Sequence, residues 1–187
     1  MPDLNPSLSV LVFLWLANLS WQDLKSRQVT HAAWIFIPLL IAAVWQAISG
    51  SWSLALLSGL VILMSERSRL PVRWRALVIP SGVPLTGILL FAGGLEWILV
   101  SLAVIGFWLA WELGVWGGVD ALVAITLLLL WPEPALLYGI LLANLLTALA
   151  AWGVDLCRRG WVGGLHRLPG MPVLALAVVI FALLERL

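Results

Sequence analysis

Long apolar segments alternate with short polar segments along the whole chain. Eight segments are apolar enough to form buried or membrane-embedded helices, and they cover residues 8–21, 32–49, 53–64, 76–91, 97–114, 121–131, 134–152 and 172–184. A helix needs about 20 mostly apolar residues to cross the hydrocarbon core, and fewer when its ends lie among the headgroups. The pattern therefore predicts an all-α polytopic membrane protein, a bundle of about eight transmembrane helices with short loops. We expect one membrane-embedded domain over residues 1–187.

The composition points to lipid as the main solvent. Of 187 residues, 63% are hydrophobic and 10% are charged, whereas a soluble domain has roughly 45–50% apolar and about 25% charged residues. Thirteen Trp residues agree with this, because indole rings favour the boundary between lipid and water. A net charge of +1 gives no sign of a nucleic-acid partner.

The basic residues predict the orientation in the membrane. With eight crossings, the loops after the first, third, fifth and seventh segments share one side, and they contain nine of the ten Lys and Arg residues. Loops rich in Lys and Arg face the cytoplasm. The sequence therefore predicts a multi-pass protein of the cytoplasmic (inner) membrane with both chain ends outside.

Three acidic residues stand apart from the outer loops and from the arginine clusters: Asp23, Glu112 and Asp120. Ionisable residues near membrane depth are costly, so each is a candidate for function. Asp23 directly follows the first segment, where Lys25 and Arg27 can neutralise it as an ordinary interfacial carboxylate. Glu112 is expected to have a structural role, since buried acids usually pair with a base.

Asp120 ends the stretch Gly117–Asp120, which opens the sixth segment. Taken alone, it fits a helix N-cap, whose carboxylate accepts the first free backbone N–H groups. From Asp120 to Trp131 a helix rises only about 18 Å, less than the roughly 30 Å hydrocarbon core. The segment is therefore expected to be a half-helix, or to begin below the cytoplasmic surface.

Asp23 and Asp120 are predicted at the cytoplasmic ends of their helices, at similar depth. Two carboxylates brought close together cannot both ionise, so they share one proton. One of them can then act as a base towards water while the protonated one polarises a carbonyl group. Aspartic peptidases use this arrangement. The spacing in the sequence does not establish that the two residues meet.

The chain resembles the type IV prepilin peptidases, which are aspartic peptidases of bacterial and archaeal membranes and include the archaeal preflagellin peptidases. Their first motif, an Asp after the first helix followed by a basic stretch, is matched by residues 23–31. Their second motif, GxGD or the related GGAD, is matched by residues 117–120. Residues 168–176 show a weaker similarity to the Pro- and Gly-containing segment before the family's last helix.

The resemblance implies a membrane aspartic endopeptidase that removes the short basic leader from prepilin-like precursors at the cytoplasmic face. It implies Asp23 and Asp120 as the catalytic pair, with Gly117 and Gly118 letting the backbone approach the substrate because neither has a Cβ. The partners would be the precursor's transmembrane helix and membrane lipid. We expect no cofactor and no metal, since the chain has two His and one Cys. We also expect no N-methyltransferase activity, which the family links to a domain with paired CxxC motifs.

The chain departs from the family pattern at three positions. Thr30 and His31 replace the usual Pro and Asn of the first motif, and Leu122 stands where a Lys often follows the second Asp. Two other functions therefore stay open. One is a transporter or channel without enzymatic activity, in which the acids line a cation or proton path. The other is a catalytically degenerate assembly protein of the same family.

Overall fold

The structure, a computed structural model, describes residues 6–26, 36–66, 71, 73, 95–114, 116–159 and 170–184. Within these ranges the protein is all-α, with seven helices and no strand. The helices are α1 (Pro6–Ser26), α2 (Ile37–Ile48), α3 (Trp52–Ser65), α4 (Leu95–Glu112), α5 (Gly118–Leu130), α6 (Pro134–Arg159) and α7 (Gly170–Leu184).

The helices lie where the apolar segments predict them, and their ends differ in informative ways. The predicted segment 76–91 and residues 67–70, which include Arg67 and Arg69, lie outside the described residues. Helix α6 continues to Arg159, past the predicted end at 152, because a helix keeps its backbone hydrogen bonds after its side chains become polar. Among the residues that the structure describes, no helix combines the length and the apolar character needed to cross a membrane.

Two compact units divide the chain. One comprises Met1–Thr30 with Ala135–Leu187, and the other comprises His31–Pro134. The first contains α1, most of α6 and α7, and the second contains the four helices from α2 to α5. The single domain predicted over residues 1–187 stays a prediction, and each unit is described by itself.

Helices α2 and α3 form a hairpin in the second unit. The connecting turn contains Gly50 at φ +79°, in the left-handed region that glycine enters without a Cβ clash. The Gly50 N–H donates to Ala47 O at 3.2 Å, and the Ser51 N–H donates to Gln46 O at 2.9 Å. These two bonds form a Schellman motif, which satisfies carbonyls at the end of α2 and reverses the chain.

Helix α5 is the buried centre of the second unit. Every side chain from Ala121 to Leu130 is buried, and α5 packs against both α2 and α4. Between those two residues the only polar side chain is that of Thr126, which donates its hydroxyl proton to Leu122 O at 2.7 Å within the helix. A helix that is apolar all round is typical of a position surrounded by protein or lipid.

A buried amide ties α2 to the C-terminal end of α5. The Nε2 atom of Gln46, a side chain only 3% exposed, donates to Leu129 O. The last four carbonyls of a helix lack partners within it, so this bond satisfies one that would otherwise be buried without a hydrogen bond.

Replacing Gln46 by Leu is expected to lower the free energy of unfolding by about 1–3 kcal/mol, because a buried carbonyl loses its donor. Thr126→Val is the matched control: it removes a bond within α5, yet Leu122 O is still available to the backbone N–H one turn later. Denaturant unfolding of the purified variants measures both losses, and we expect the larger one in Gln46→Leu. A larger loss in Thr126→Val than in Gln46→Leu would show that the bond between the two helices contributes little.

In the first unit, α1 packs against α7. Helix α6 also approaches α7 closely at Gly139, where a Cβ would lie 3.4 Å from Ala177 O. Small residues allow two helices to come this near in lipid as well as in water. The contact between α1 and α7 brings together the described parts of the first and third predicted motifs, residues 23–26 and 170–176.

Candidate functional site

Asp23 lies in the last turn of α1, not in a loop after it. The helix continues to Ser26 and so includes both Asp23 and the exposed Lys25. The carboxylate is half-buried, and its Oδ2 atom accepts a hydrogen bond from the Met171 backbone N–H at 3.4 Å. This long bond joins residues that are 148 positions apart in the sequence.

The Asp23–Met171 contact has a clear local cause. Helix α7 begins at Gly170, so the Met171 N–H is one of the first four donors that no carbonyl of the helix can satisfy. A carboxylate at a helix N-terminus meets both these donors and the positive end of the helix dipole. Asp23 therefore holds the end of α1 against the start of α7.

Asp120 occupies the third position of α5 and is not its N-cap. Gly117 is the N-cap, with φ −64° and ψ 136°, and the helix begins at Gly118. The half-buried Asp120 side chain turns back towards this glycine, so that a Cβ built on Gly117 would lie 2.8 Å from Asp120 Oδ2. An acid in the first turn is favourable beside the N-terminal end of the helix dipole.

The loop before Asp120 is folded tightly onto α4. Helix α4 ends at Glu112, and Gly114 adopts φ +68°, with its N–H donating to Trp111 O at 2.9 Å. The Trp116 N–H donates to Ala110 O at 3.1 Å. The Trp116 ring also packs on Phe107, with ring centroids 4.7 Å apart and planes tilted by 57°. This geometry, favourable for aromatic pairs, fixes the entry into α5.

Gly117 and Gly118 are both in close contact with the chain's own side chains. A Cβ on Gly118 would lie 2.5 Å from Trp111 Nε1 and 3.1 Å from Trp111 Cδ1 and Cε2. Since the φ of Gly117 suits any residue, the space beside the backbone is what restricts position 117. A role for the two glycines in approaching substrate stays a prediction.

The two predicted catalytic residues lie in different units, Asp23 in the first and Asp120 in the second. Their pairing stays a prediction. Glu112 is half-buried as the last residue of α4, and Leu122 is 2% exposed inside α5. Thr30, His31 and residues 168–169 of the third motif lie outside the described residues. Within the described part of the chain, no cluster of His, Cys, Asp and Glu could hold a metal ion.

Sequence reasoning missed three residues that shape these sites: Trp111, Trp116 and Met171. Trp111 lies seven residues before Gly118, a separation at which a reversing chain can bring a side chain onto a glycine. Trp116 directly precedes the double glycine, and an aromatic residue there is a signal for a turn that packs back on its helix. Nothing in the sequence marks Met171, because its part in the site is its backbone N–H.

No family model, curated protein or solved structure matches this chain.

Proposed function

We propose that this protein is a multi-pass membrane aspartic endopeptidase of the prepilin peptidase type. It removes the short basic leader of prepilin-like precursors, such as type IV pilins, pseudopilins or archaellins, at the cytoplasmic face of the cell membrane. Asp23 and Asp120 form its catalytic pair. The precursor keeps its transmembrane helix in the lipid beside the enzyme while its leader reaches the aspartates.

One observation carries the proposal. Both candidate aspartates are half-buried, and each lies beside the N-terminal end of a helix: Asp23 at the start of α7 and Asp120 in the first turn of α5. A carboxylate beside a helix N-terminus is held in place by the backbone donors and the dipole there. Two carboxylates that are each held at a helix N-terminus meet one requirement of a two-aspartate peptidase, and the proposal adds the second, that the two lie close together.

The outward faces of the helices support the membrane part of the proposal. One side of α2 presents a stripe of exposed apolar side chains, which consists of Ile37, Leu40, Ile41, Val44 and Ile48. The most exposed of them is Ile48, at 78%. Another stripe runs along α6 and consists of Leu141, Leu142, Leu145, Leu146 and Leu149. Contiguous apolar surface of this extent is rare on soluble monomers and suits contact with lipid.

Hydroxyl side chains on α3 and α6 form hydrogen bonds within their own helices. The hydroxyls of Ser58, Ser65 and Thr147 each donate to the carbonyl four residues earlier at 2.7 Å. Such bonds satisfy a polar group where water is scarce. Trp21 near the end of α1 and Trp52 at the start of α3 are 68% and 65% exposed, as expected for rings in the interfacial belts.

The chemistry assigned to the pair is peptide-bond hydrolysis. One aspartate takes a proton from a water molecule, whose oxygen attacks the carbonyl carbon of the scissile bond. The other, protonated, donates a hydrogen bond to the carbonyl oxygen. The leaving amine then gains a proton as the bond to carbon breaks. Either aspartate can serve as the base in this scheme.

The experiment that tests the proposal is cleavage of a prepilin-type precursor by the purified protein in proteoliposomes. The precursor carries a basic leader, a Gly before the scissile bond and an apolar helix. The expected result is one new product whose N-terminus lies at the end of the leader. The matched control is the same precursor with its apolar helix replaced by a soluble domain, which should be cleaved poorly. Failure to cleave any member of a panel of pilin, pseudopilin and archaellin precursors would contradict the proposal.

A second candidate function is a relative of these peptidases that assembles with pilin-like proteins without cleaving them. The observation that favours it is the Asp23–Met171 hydrogen bond, since this bond gives Asp23 a structural use that needs no catalysis. The cleavage assay separates the two candidates, because the second predicts binding of the precursor with the leader intact. A transporter gains no such support, since the buried interior of α5 contains no charged residue after Asp120.

A further inference from the structure

The Trp111 indole occupies the space that a side chain at position 118 would need. A Cβ at Gly118 would approach Trp111 Nε1 to 2.5 Å, a distance far inside van der Waals contact between carbon and nitrogen. The neighbouring ring atoms Cδ1 and Cε2 lie 3.1 Å from the same point. Because an indole ring is rigid and has two side-chain torsions, it cannot yield locally as the tip of a flexible side chain can.

The backbone of Trp111 is hydrogen-bonded into the turn at the end of α4. Its carbonyl oxygen accepts the Gly114 N–H at 2.9 Å, in a turn whose left-handed glycine reverses the chain. One residue earlier, Ala110 O accepts the Trp116 N–H at 3.1 Å. The loop therefore returns over the end of α4, and the indole lies between this end and the start of α5.

The start of α5 determines where the Asp120 carboxylate lies. Gly118 and Asp120 are the first and third residues of the same helical turn, so a shift of Gly118 moves Asp120 with it. A side chain at position 117 would crowd the carboxylate, since its Cβ would lie 2.8 Å from Asp120 Oδ2. In a reaction that needs two aligned carboxylates, a displacement of about 1 Å can cost on the order of 100-fold in rate.

We propose that Trp111 is a positioning residue for Asp120: its indole packs on Gly118 and thereby sets the first turn of α5. This inference rests on the proposed peptidase function. Trp111 acts through the backbone of its own chain and is not assigned a contact with substrate. Glycine is then needed at position 118 because of Trp111 and at position 117 because of Asp120, since a Cβ at either position would clash with the side chain beside it.

A pair of size-changing substitutions tests the role of Trp111. Gly118→Ala, Trp111→Leu and the double variant are compared with native protein in the precursor cleavage assay, measuring kcat and KM separately. We expect Gly118→Ala to lower kcat by about 100-fold with little change in KM, because the turn that carries Asp120 shifts. In the Trp111→Leu background, the same Gly118→Ala change should lower kcat by less than about threefold, because the indole is no longer in the way.

Gly106→Ala is the matched control, since Gly106 lies on the same helix as Trp111 and a Cβ there would meet no atom within 4 Å. Its kcat should equal that of native protein. Unfolding midpoints are measured for every variant, and Trp111→Phe replaces Trp111→Leu if the latter is not recovered folded. Equal losses from Gly118→Ala in both backgrounds, or no loss in either, would overturn the role of Trp111. Absence of cleavage by native protein would instead contradict the proposed function itself.

Discussion

Asp120→Asn is expected to reduce precursor cleavage by about 100- to 10,000-fold, while the protein folds and inserts normally. Asn keeps the size and the hydrogen-bonding shape of the carboxylic acid, but it can neither accept a proton from water nor give one to the scissile carbonyl. Loss of a general acid or base typically costs about 100- to 10,000-fold. The measurement is the initial rate of leader removal in proteoliposomes at equal amounts of inserted protein.

Glu112→Gln is the control for the Asp120 prediction. Glu112 is half-buried like Asp120 and ends the helix that precedes it, so the two substitutions remove one carboxylate each from the same hairpin. The Gln variant should cleave within about threefold of the native rate. A fully active Asp120→Asn variant would remove Asp120 from the mechanism, and an inactive Glu112→Gln variant would make Glu112 part of it.

Two substitutions of Asp23 are expected to separate its proposed catalytic role from its hydrogen bond to Met171. Asp23→Asn and Asp23→Ala should both abolish cleavage, because neither side chain can exchange a carboxylic proton. Only Asn retains an oxygen that can accept the Met171 N–H at the start of α7. Loss of such a cap costs about 0.5–2 kcal/mol, so Asp23→Ala should also lower the free energy of unfolding by this amount.

The matched control for Asp23 is Lys25→Ala. Lys25 is exposed in the same last turn of α1, so its removal tests whether any change at this helix end alters stability or cleavage. Both properties should stay near native. If Asp23→Asn cleaves the precursor at the native rate, Asp23 has only a structural role at the start of α7. That result would contradict the assignment of Asp23 to the catalytic pair.

The sequence predicted helix positions well because helices here coincide with apolar segments. The predicted 53–64 and the observed Trp52–Ser65 differ by one residue at each end. The apolar pattern predicted the ends of helices less accurately than their centres, because some helices include polar residues beyond the apolar segment. Asp23 was expected after the first helix and lies in its last turn, and Asp120 fits an N-cap by sequence but occupies the third helical position. In both cases the helix extends beyond the end of the apolar segment.

The pattern of apolar and polar residues could not predict the contacts that surround the candidate aspartates. The Asp23–Met171 bond depends on the packing of α1 against α7, across 148 positions. The contact of Trp111 with Gly118 depends on a turn whose geometry follows from Gly114 at φ +68° and from Trp116 packing on Phe107. Residue type and spacing single out the glycines and the aspartate, but they do not reveal which side chains lie against them.

The central claim is the proposal that Asp23 and Asp120 form a catalytic pair, and thiol cross-linking in the membrane tests it most directly. Asp23→Cys and Asp120→Cys are combined in a Cys157→Ser background, which removes the chain's one native thiol, and treated with a short bifunctional thiol reagent. The control combines Asp23→Cys with Glu133→Cys. Glu133 follows Leu130, the last residue of α5, which lies about 15 Å from Asp120 at 1.5 Å per residue. The account predicts efficient cross-linking within one chain for the 23–120 pair and almost none for the 23–133 pair. Equal yields for both pairs, or no cross-link between 23 and 120, would contradict it.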